Sequence, residues 1–429
     1  MSAAGRTADL GEASVSDLYR HHLGVGRASF GDLIGGMVEV SSSGAWVYDA
    51  TGRRFLDCGG YGVFILGHRH PRVVAAVHRQ LDTHPLATKV LLEPVAARAA
   101  RALAEVAPGD LDFVHFVNSG AEATEAAIKL ARAHGHTSLI SMESGFHGKT
   151  MGALSLTANP LYQQPFGPLL PDVSHVPYGD CGALRAELDR HGSRACVVVE
   201  PVQGEGGVVV PPAGYLAEVA RACAEHGAFL VVDEIQTGLG RLGSWWGLSG
   251  TGVTPDVLLV GKGLSGGVVP ISAMVATARA YQPFSRDPYL HSSTFAGSPL
   301  ACAAAQATLS VLHDEDIVAR ADRLGRHLLA EIRVILARHC SELVAEVRGR
   351  GLLLGVEFRD PRLVGELALE LIDRGVLVNH SLNAARVLRF TPPATLISAE
   401  IDQFLTALDQ ASRAVAARLD AGPPRGSAR

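Results

Sequence analysis

Short runs of apolar, often β-branched residues alternate along this chain with alanine- and leucine-rich stretches of helical period. Strands that are apolar on both faces must be covered on both, and helices between them do the covering. The pattern therefore dictates an α/β fold built on a mainly parallel sheet. The clearest strand candidates are Phe113–Val117, Ser138–Met142, Cys196–Val199, Phe229–Val232 and Val257–Val260, each followed by glycine or polar residues. Sheets of this class bind ligands at those carboxyl-end exits.

Near residue 313 the pattern changes. LHDEDIVARADRLGRHLLAEIRVILARH reads as one long arginine-rich helix, followed by strand-like GLLLGVEF and another helix. With 429 residues, 47% of them hydrophobic, there is core enough for two lobes. The expected division is an N-terminal segment (1–70) that contributes to a small domain, a large domain (71–315) and a C-terminal small domain (316–429). The two ends, MSAAGRTADLGEAS and AGPPRGSAR, carry too little apolar surface to order themselves and read as frayed tails.

A formal net charge of -5 supplies no basic field for nucleic acid or an anionic membrane, so the expected partners are small molecules. Cys58, Cys181, Cys196, Cys223, Cys302 and Cys340 contain no C-x-x-C pair and read as reduced thiols. No apolar stretch has signal-peptide character or approaches the roughly 20 residues of a membrane span, which makes the expected location cytoplasmic. His68 and His70, without an accompanying carboxylate or cysteine cluster, are expected to cap or pack rather than bind metal.

Lysine is scarce: Lys89, Lys129, Lys149 and Lys262 are the only four among 38 basic residues. Lys129 follows Glu125 by one helical turn and is expected to pair with it on a solvated face. Lys89, in a polar stretch opening a helix, and Lys149, at another helix start, also read as surface residues. Lys262 differs. It follows the apolar run DVLLVG and is flanked by Gly261 and Gly263, so its amine emerges at a strand's carboxyl end beside open backbone.

An ordinary strand-end lysine would look the same. Asp233 changes the reading, because it ends the preceding strand, FLVVDEIQTG, one crossover's length earlier. Adjacent strands then aim a carboxylate and an amine into one crevice, as a pyridine aldehyde cofactor requires. The carboxylate keeps a ring nitrogen protonated and the amine can form an imine. Ser119, Gly120 and Ala121 open a helix whose free N–H groups suit a phosphate, although a plain cap would read alike. Gly145, Phe146, His147 and Gly148 offer an aromatic platform between glycines.

Together NSGAEATEAAIKLAR, FHGKTMGALS, EPVQGEGG, VVDEIQTGLGR, LLVGKGL, HSSTFAGSPLACAA and LRFTPP resemble a class III aminotransferase, over about residues 40 to 415. The resemblance implies pyridoxal 5'-phosphate (PLP) and the PLP fold-type I (aspartate aminotransferase-like) architecture. That is a large domain with a mainly parallel seven-stranded sheet, plus a small α+β domain formed by the N- and C-terminal segments. It implies that Lys262 carries the cofactor imine and shuttles the proton, that Asp233 pairs with the pyridine nitrogen and that Gln236 bonds the ring hydroxyl.

Ser119, Gly120 and Ala121 would hold the phosphate, with Thr294 reaching across from the partner of a homodimer. Phe146 would stack on the ring and His147 would support it. Arg389 matches the family's carboxylate clamp and Glu205 its switch partner; Tyr61 and Phe64 stand where relatives contact the amine. Thr124, where relatives often carry Asn or Val, is expected to affect packing only. The sequence is most similar to the putrescine and ornithine-type subgroups, which implies transfer between a terminal amine and 2-oxoglutarate.

The same scaffold can host aminomutase, racemase or decarboxylase chemistry, against which Arg389 with Glu205 favours transamination. A binding protein that had lost catalysis would usually have lost Lys262 or Asp233, and both remain. GLGRLG and GKGLSG satisfy G-x-G-x-x-G, but neither opens a convincing helix with an acidic residue in the place a dinucleotide site needs.

Overall fold

A computed structural model describes residues 14–420. Three strands come first: β1 (Glu39–Ser43), β2 (Trp46–Asp49) and β3 (Arg54–Asp57). The central sheet follows, with β4 (Phe113–Val117), β5 (Ser138–Met142), β6 (Val173–Val176), β7 (Ala195–Val199), β8 (Phe229–Asp233), β9 (Val257–Val260) and β10 (Ser272–Ala276). Its order is β4-β10-β9-β8-β7-β5-β6. Only β10 runs against its neighbours, β4 and β9. The mainly parallel seven-stranded α/β sheet is thus as expected, and all five strands read from the sequence lie in it.

Every residue of β7, β8, β9 and β10 is buried. Period-two alternation sends Val197, Val199, Leu230, Val232, Leu258 and Val260 to one face, and Cys196, Val198, Phe229, Val231, Val257 and Leu259 to a separate core on the other. Each such aliphatic side chain stabilises the fold by about 1.5–3 kcal/mol, so the strand ends are held by two cores at once.

The crossover from β8 to β9 carries no helix, although a helix is usual between parallel strands. Turns replace it, fixed by the Trp246 indole N–H on the Val106 carbonyl (2.5 Å) and by Glu234, which accepts from the Leu248 N–H (3.0 Å). GLGRLG lies in this crossover, where Gly238 packs so closely that a Cβ would fall 2.8 Å from the Trp246 ring.

The remaining strands are β11 (Val344–Arg350), β12 (Leu353–Phe358), β13 (Val376–Leu377), β14 (Asn379–Ser381) and β15 (Ala384–Phe390). Four of them form the antiparallel sheet β11-β12-β15-β14, while β13 pairs in parallel with β3. The single long helix expected after residue 313 is instead two, Pro299–Asp314 and Ile317–Cys340. They break at Asp316, whose φ of 50° leaves the right-handed helical region.

Of the two tails, only Ser14 lies within the described residues, where its Oγ caps the helix Val15–Leu18 by accepting from the Asp17 N–H. No helix among the described residues is long and apolar enough to cross a membrane.

Candidate active site

β8 and β9 are parallel neighbours, and Asp233, the last residue of β8, stands in register with Leu259. Both strands therefore discharge at one place, and Asp233 and Lys262 line the same cavity together with Gly120, Ala121, Phe146, His147, Glu200 and Gln236. Gly261 brings the backbone there: a Cβ at this position would lie 2.6 Å from Ser272 Oγ. Lys262 has a φ of 42°, a left-handed conformation that costs on the order of 1–3 kcal/mol in a lysine. Burial pushes its ammonium pKa below the usual value; Glu205 opposes the shift, Arg389 adds to it, and Asp233 and Glu200 oppose it more weakly.

Asp233 is fixed on both oxygens, by His147 Nδ1 at 2.8 Å from Oδ2 and by the Ile235 N–H, which donates to Oδ1 (3.0 Å). His147 is itself clamped. Its N–H donates to Thr157 Oγ1 and its carbonyl accepts from Thr124 Oγ1, each at 2.9 Å. The expectation that Thr124 only packs is therefore wrong, because its hydroxyl positions the histidine backbone. Burial by itself would lower the His147 pKa, but the hydrogen bond and charge of Asp233, with the charge of Glu200, outweigh it and raise it.

Glu200 was missed in the sequence. It is buried directly after β7 and accepts from the N–H groups of Phe146 (3.0 Å) and Gly204 (3.2 Å). Burial pushes its carboxyl up to about 7. The available signal was a glutamate following a strand with no polar residue, where an ionised side chain needs a partner.

Ser119 N-caps the helix Gly120–Ala133, its Oγ accepting from the Glu122 N–H at 3.2 Å. The first turn leaves backbone N–H groups without intrahelical partners, at the positive end of the helix dipole. Gly120 lets that turn approach the strand exits, since a Cβ there would meet Ile235 Cδ1 at 2.8 Å. Gln236 reaches the cavity across Gly204, whose Cβ would collide with Gln236 Oε1 at 1.7 Å.

Arg389, on β15, is fully buried, with Nη1 2.7 Å from Glu205 Oε1. The contact is an ion pair without hydrogen-bond angles, so Nε, Nη1 and Nη2 all lack a hydrogen-bond partner among the described residues. Three unsatisfied buried donors on a charged group are costly and suit a planar anion with two oxygens. Tyr61 is half exposed in the turn Gly60–Gly62 with a φ of 50°. Phe64 stacks on the buried His68 ring at 3.8 Å, and His68 Nε2 meets Asp57 at 2.9 Å, so both rings serve packing.

Not every predicted residue converges. Thr294 is exposed and lines neither this cavity nor the adjoining one around Ser119. The Glu125–Lys129 pair does not form: Lys129 donates to the Leu290 carbonyl (2.7 Å), and Glu125 accepts from the Gly152 N–H (2.8 Å) at the next helix start. Lys89 lies in a loop, the helix beginning only at Pro94.

The arrangement suits an aromatic cofactor with three handles. A carboxylate could pair with a ring nitrogen, an amine with an aldehyde and a helix N-terminus with an anion, while Phe146 and Ile235 contribute apolar wall. Residues 35–412 match the family described as aminotransferase class-III. Among solved structures the chain is similar to the ornithine aminotransferase of Toxoplasma gondii ME49, at 34% identity over 95% of this chain and 100% of that one, with a TM-score of 0.84. It is also similar to an (S)-enantioselective omega-transaminase from Thermomicrobium roseum (31%, 94% and 98%, 0.86). A third is an amine transaminase from an uncultivated Pseudomonas species in its PLP-bound form (30%, 89% and 95%, 0.80).

Proposed function

The chain belongs to the class III aminotransferases, and from that premise we propose that it exchanges amino groups between a terminal primary amine, such as a diamine or an ornithine-like compound, and 2-oxoglutarate. Its cofactor is pyridoxal 5'-phosphate, which when bound supplies an aldehyde that takes up amines covalently and a pyridinium ring that withdraws electrons. Lys262 Nζ would tether the aldehyde. Burial disfavours the charged form of its Nζ, so Lys262 would also be the base that takes the proton from the amine-bearing carbon. Asp233, in contact with Nδ1 of a His147 of raised pKa, would hold a proton on the ring nitrogen. Ser119, Gly120 and Ala121 would bind the phosphate, Phe146 would support the ring face and Gln236 would bond the ring hydroxyl.

The observation that carries the substrate reading is the buried, hydrogen-bond-free guanidinium of Arg389 against Glu205. 2-Oxoglutarate and glutamate bring a carboxylate next to the reacting carbon, whereas a terminal amine brings hydrocarbon there. Arg389 accepts the first and is neutralised by Glu205 for the second, so one pocket serves both. Tyr61, half exposed and with its carbonyl accepting from Gln236 Nε2, would contact the amine.

The proposal includes a homodimer in which Thr294 completes the partner's phosphate site. Its neighbour Phe295 is 64% exposed, and Leu91 and Leu92 are 77% and 102% exposed, apolar surface that a partner subunit would cover. It also includes the domain division at residues 70 and 315, supported by the pairing of β3 with β13. The test is a donor screen with purified holoenzyme, following glutamate across diamines, ornithine derivatives and ω-amino acids. Glutamate formation dependent on 2-oxoglutarate is expected. Product without any added keto acid would replace the proposal with an aminomutase.

A further inference from the structure

The turn between β14 and β15, Leu382–Asn383, is bonded to the opposite wall of the cleft through five polar groups. The Leu382 N–H donates to Glu205 Oε2 (2.9 Å), and the Asn383 N–H donates to the Glu205 carbonyl (3.0 Å). The Leu382 carbonyl accepts from Tyr162 Oη (3.3 Å), and Asn383 Oδ1 accepts from Asn159 Nδ2 (3.0 Å). Asn383 Nδ2 donates to the carbonyls of Ser144 and Gly145, both at 3.0 Å. Those two residues directly precede Phe146, and Ser144 holds a φ of 60°.

These bonds bear on Glu205 in a specific way. One of its oxygens faces Arg389 and the other is held by the Leu382 N–H. To leave Arg389, Glu205 must also give up that N–H, and the Asn383 amide makes most of the side-chain bonds that pin the turn carrying it. An amide side chain is suited to this task, having two donors for the paired carbonyls and an acceptor for Asn159. We infer that Asn383 is a positioning residue that stabilises the closed Glu205–Arg389 pair and so sets how readily Arg389 is released to a substrate carboxylate. The inference rests on the switching role proposed above for Arg389 and Glu205, and it adds a residue that touches neither substrate nor cofactor.

The test needs no knowledge of the amine. Glutarate, a five-carbon dicarboxylate without a reacting keto group, is titrated into holoenzyme by calorimetry, and thermal melting is recorded for each variant. Asn383→Ala should tighten glutarate by roughly 5- to 10-fold, the effect of weakening one hydrogen-bonded anchor of the competing closed state. Tyr162→Phe, which removes only the 3.3 Å contact, should shift affinity in the same direction by about twofold, and it carries the test if Asn383→Ala fails to fold. Glu205→Gln should tighten glutarate further still, and adding Asn383→Ala in that background should change little, because the element it acts through is gone.

Unchanged or weaker glutarate binding in both single variants, with native melting, would overturn the inference. So would a gain of equal size in the Glu205→Gln background. A Glu205→Gln variant that binds glutarate no better than the parent would instead remove the switch itself, and the role of Asn383 with it.

Discussion

The two ends of the cleft are built on opposite principles. At the inner end Asp233, His147, Thr124 and Glu200 are buried at strand exits or helix turns, and each is held by at least one hydrogen bond of 3.0 Å or less. At the outer end Arg389 is equally buried but leaves three nitrogens without hydrogen bonds among the described residues, and its counter-charge Glu205 comes from a loop. A satisfied network is rigid and does one thing; an unsatisfied charge is poised between partners. The inner end accordingly suits chemistry common to both half-reactions, and the outer end suits what differs between them.

The comparison breaks most readily at Lys262. Lys262→Ala should bind cofactor yet lose turnover by roughly 100- to 10,000-fold in both half-reactions, the range expected for losing a positioned base, measured by single-turnover absorbance. An effect confined to one half-reaction would place the lysine at the wrong end. Arg389→Ala should do the reverse, slowing the 2-oxoglutarate half-reaction by about 100-fold for the loss of a bidentate charged contact. The amine half-reaction should change by only a few-fold, and equal damage to both would contradict the switch.

Glu200→Gln sharpens the account of the inner end. A carboxyl raised from 4.5 to about 7 holds its proton in the folded state where the unfolded chain has released it. Stability is therefore lost as pH rises from about 4.5 to 7, on the order of 3 kcal/mol in all. The variant should flatten that part of the melting-temperature profile. Thr124→Val should be the mildest change, costing about 1–2 kcal/mol for the orphaned His147 carbonyl, and should leave the ratio of the two half-reactions untouched.

What was legible in the sequence follows the same divide. The strand exits and their residues were readable because apolar runs, a lysine between glycines and an aspartate one crossover earlier are local signals. β6 and β10 were not, since Val-Ser-His-Val and Ser-Ala-Met-Val-Ala lack a continuous run of large apolar residues. The helix break at Asp316 was hidden because neither glycine nor proline marks it. Glu200, Thr124 and Asn383 escaped because their partners are distant along the chain: Thr124 meets His147, and Asn383 meets Gly145. The Glu125–Lys129 expectation failed because each partner found a tertiary contact that local spacing cannot reveal.

The most direct test exploits the scarcity of lysine. Borohydride reduction of the holoenzyme, followed by peptide mass mapping, should place the pyridoxyl adduct on the peptide that carries Lys262 and on no other. An adduct at Lys89, Lys129 or Lys149, or none at all with cofactor bound, would contradict a cofactor held between Asp233 and Lys262.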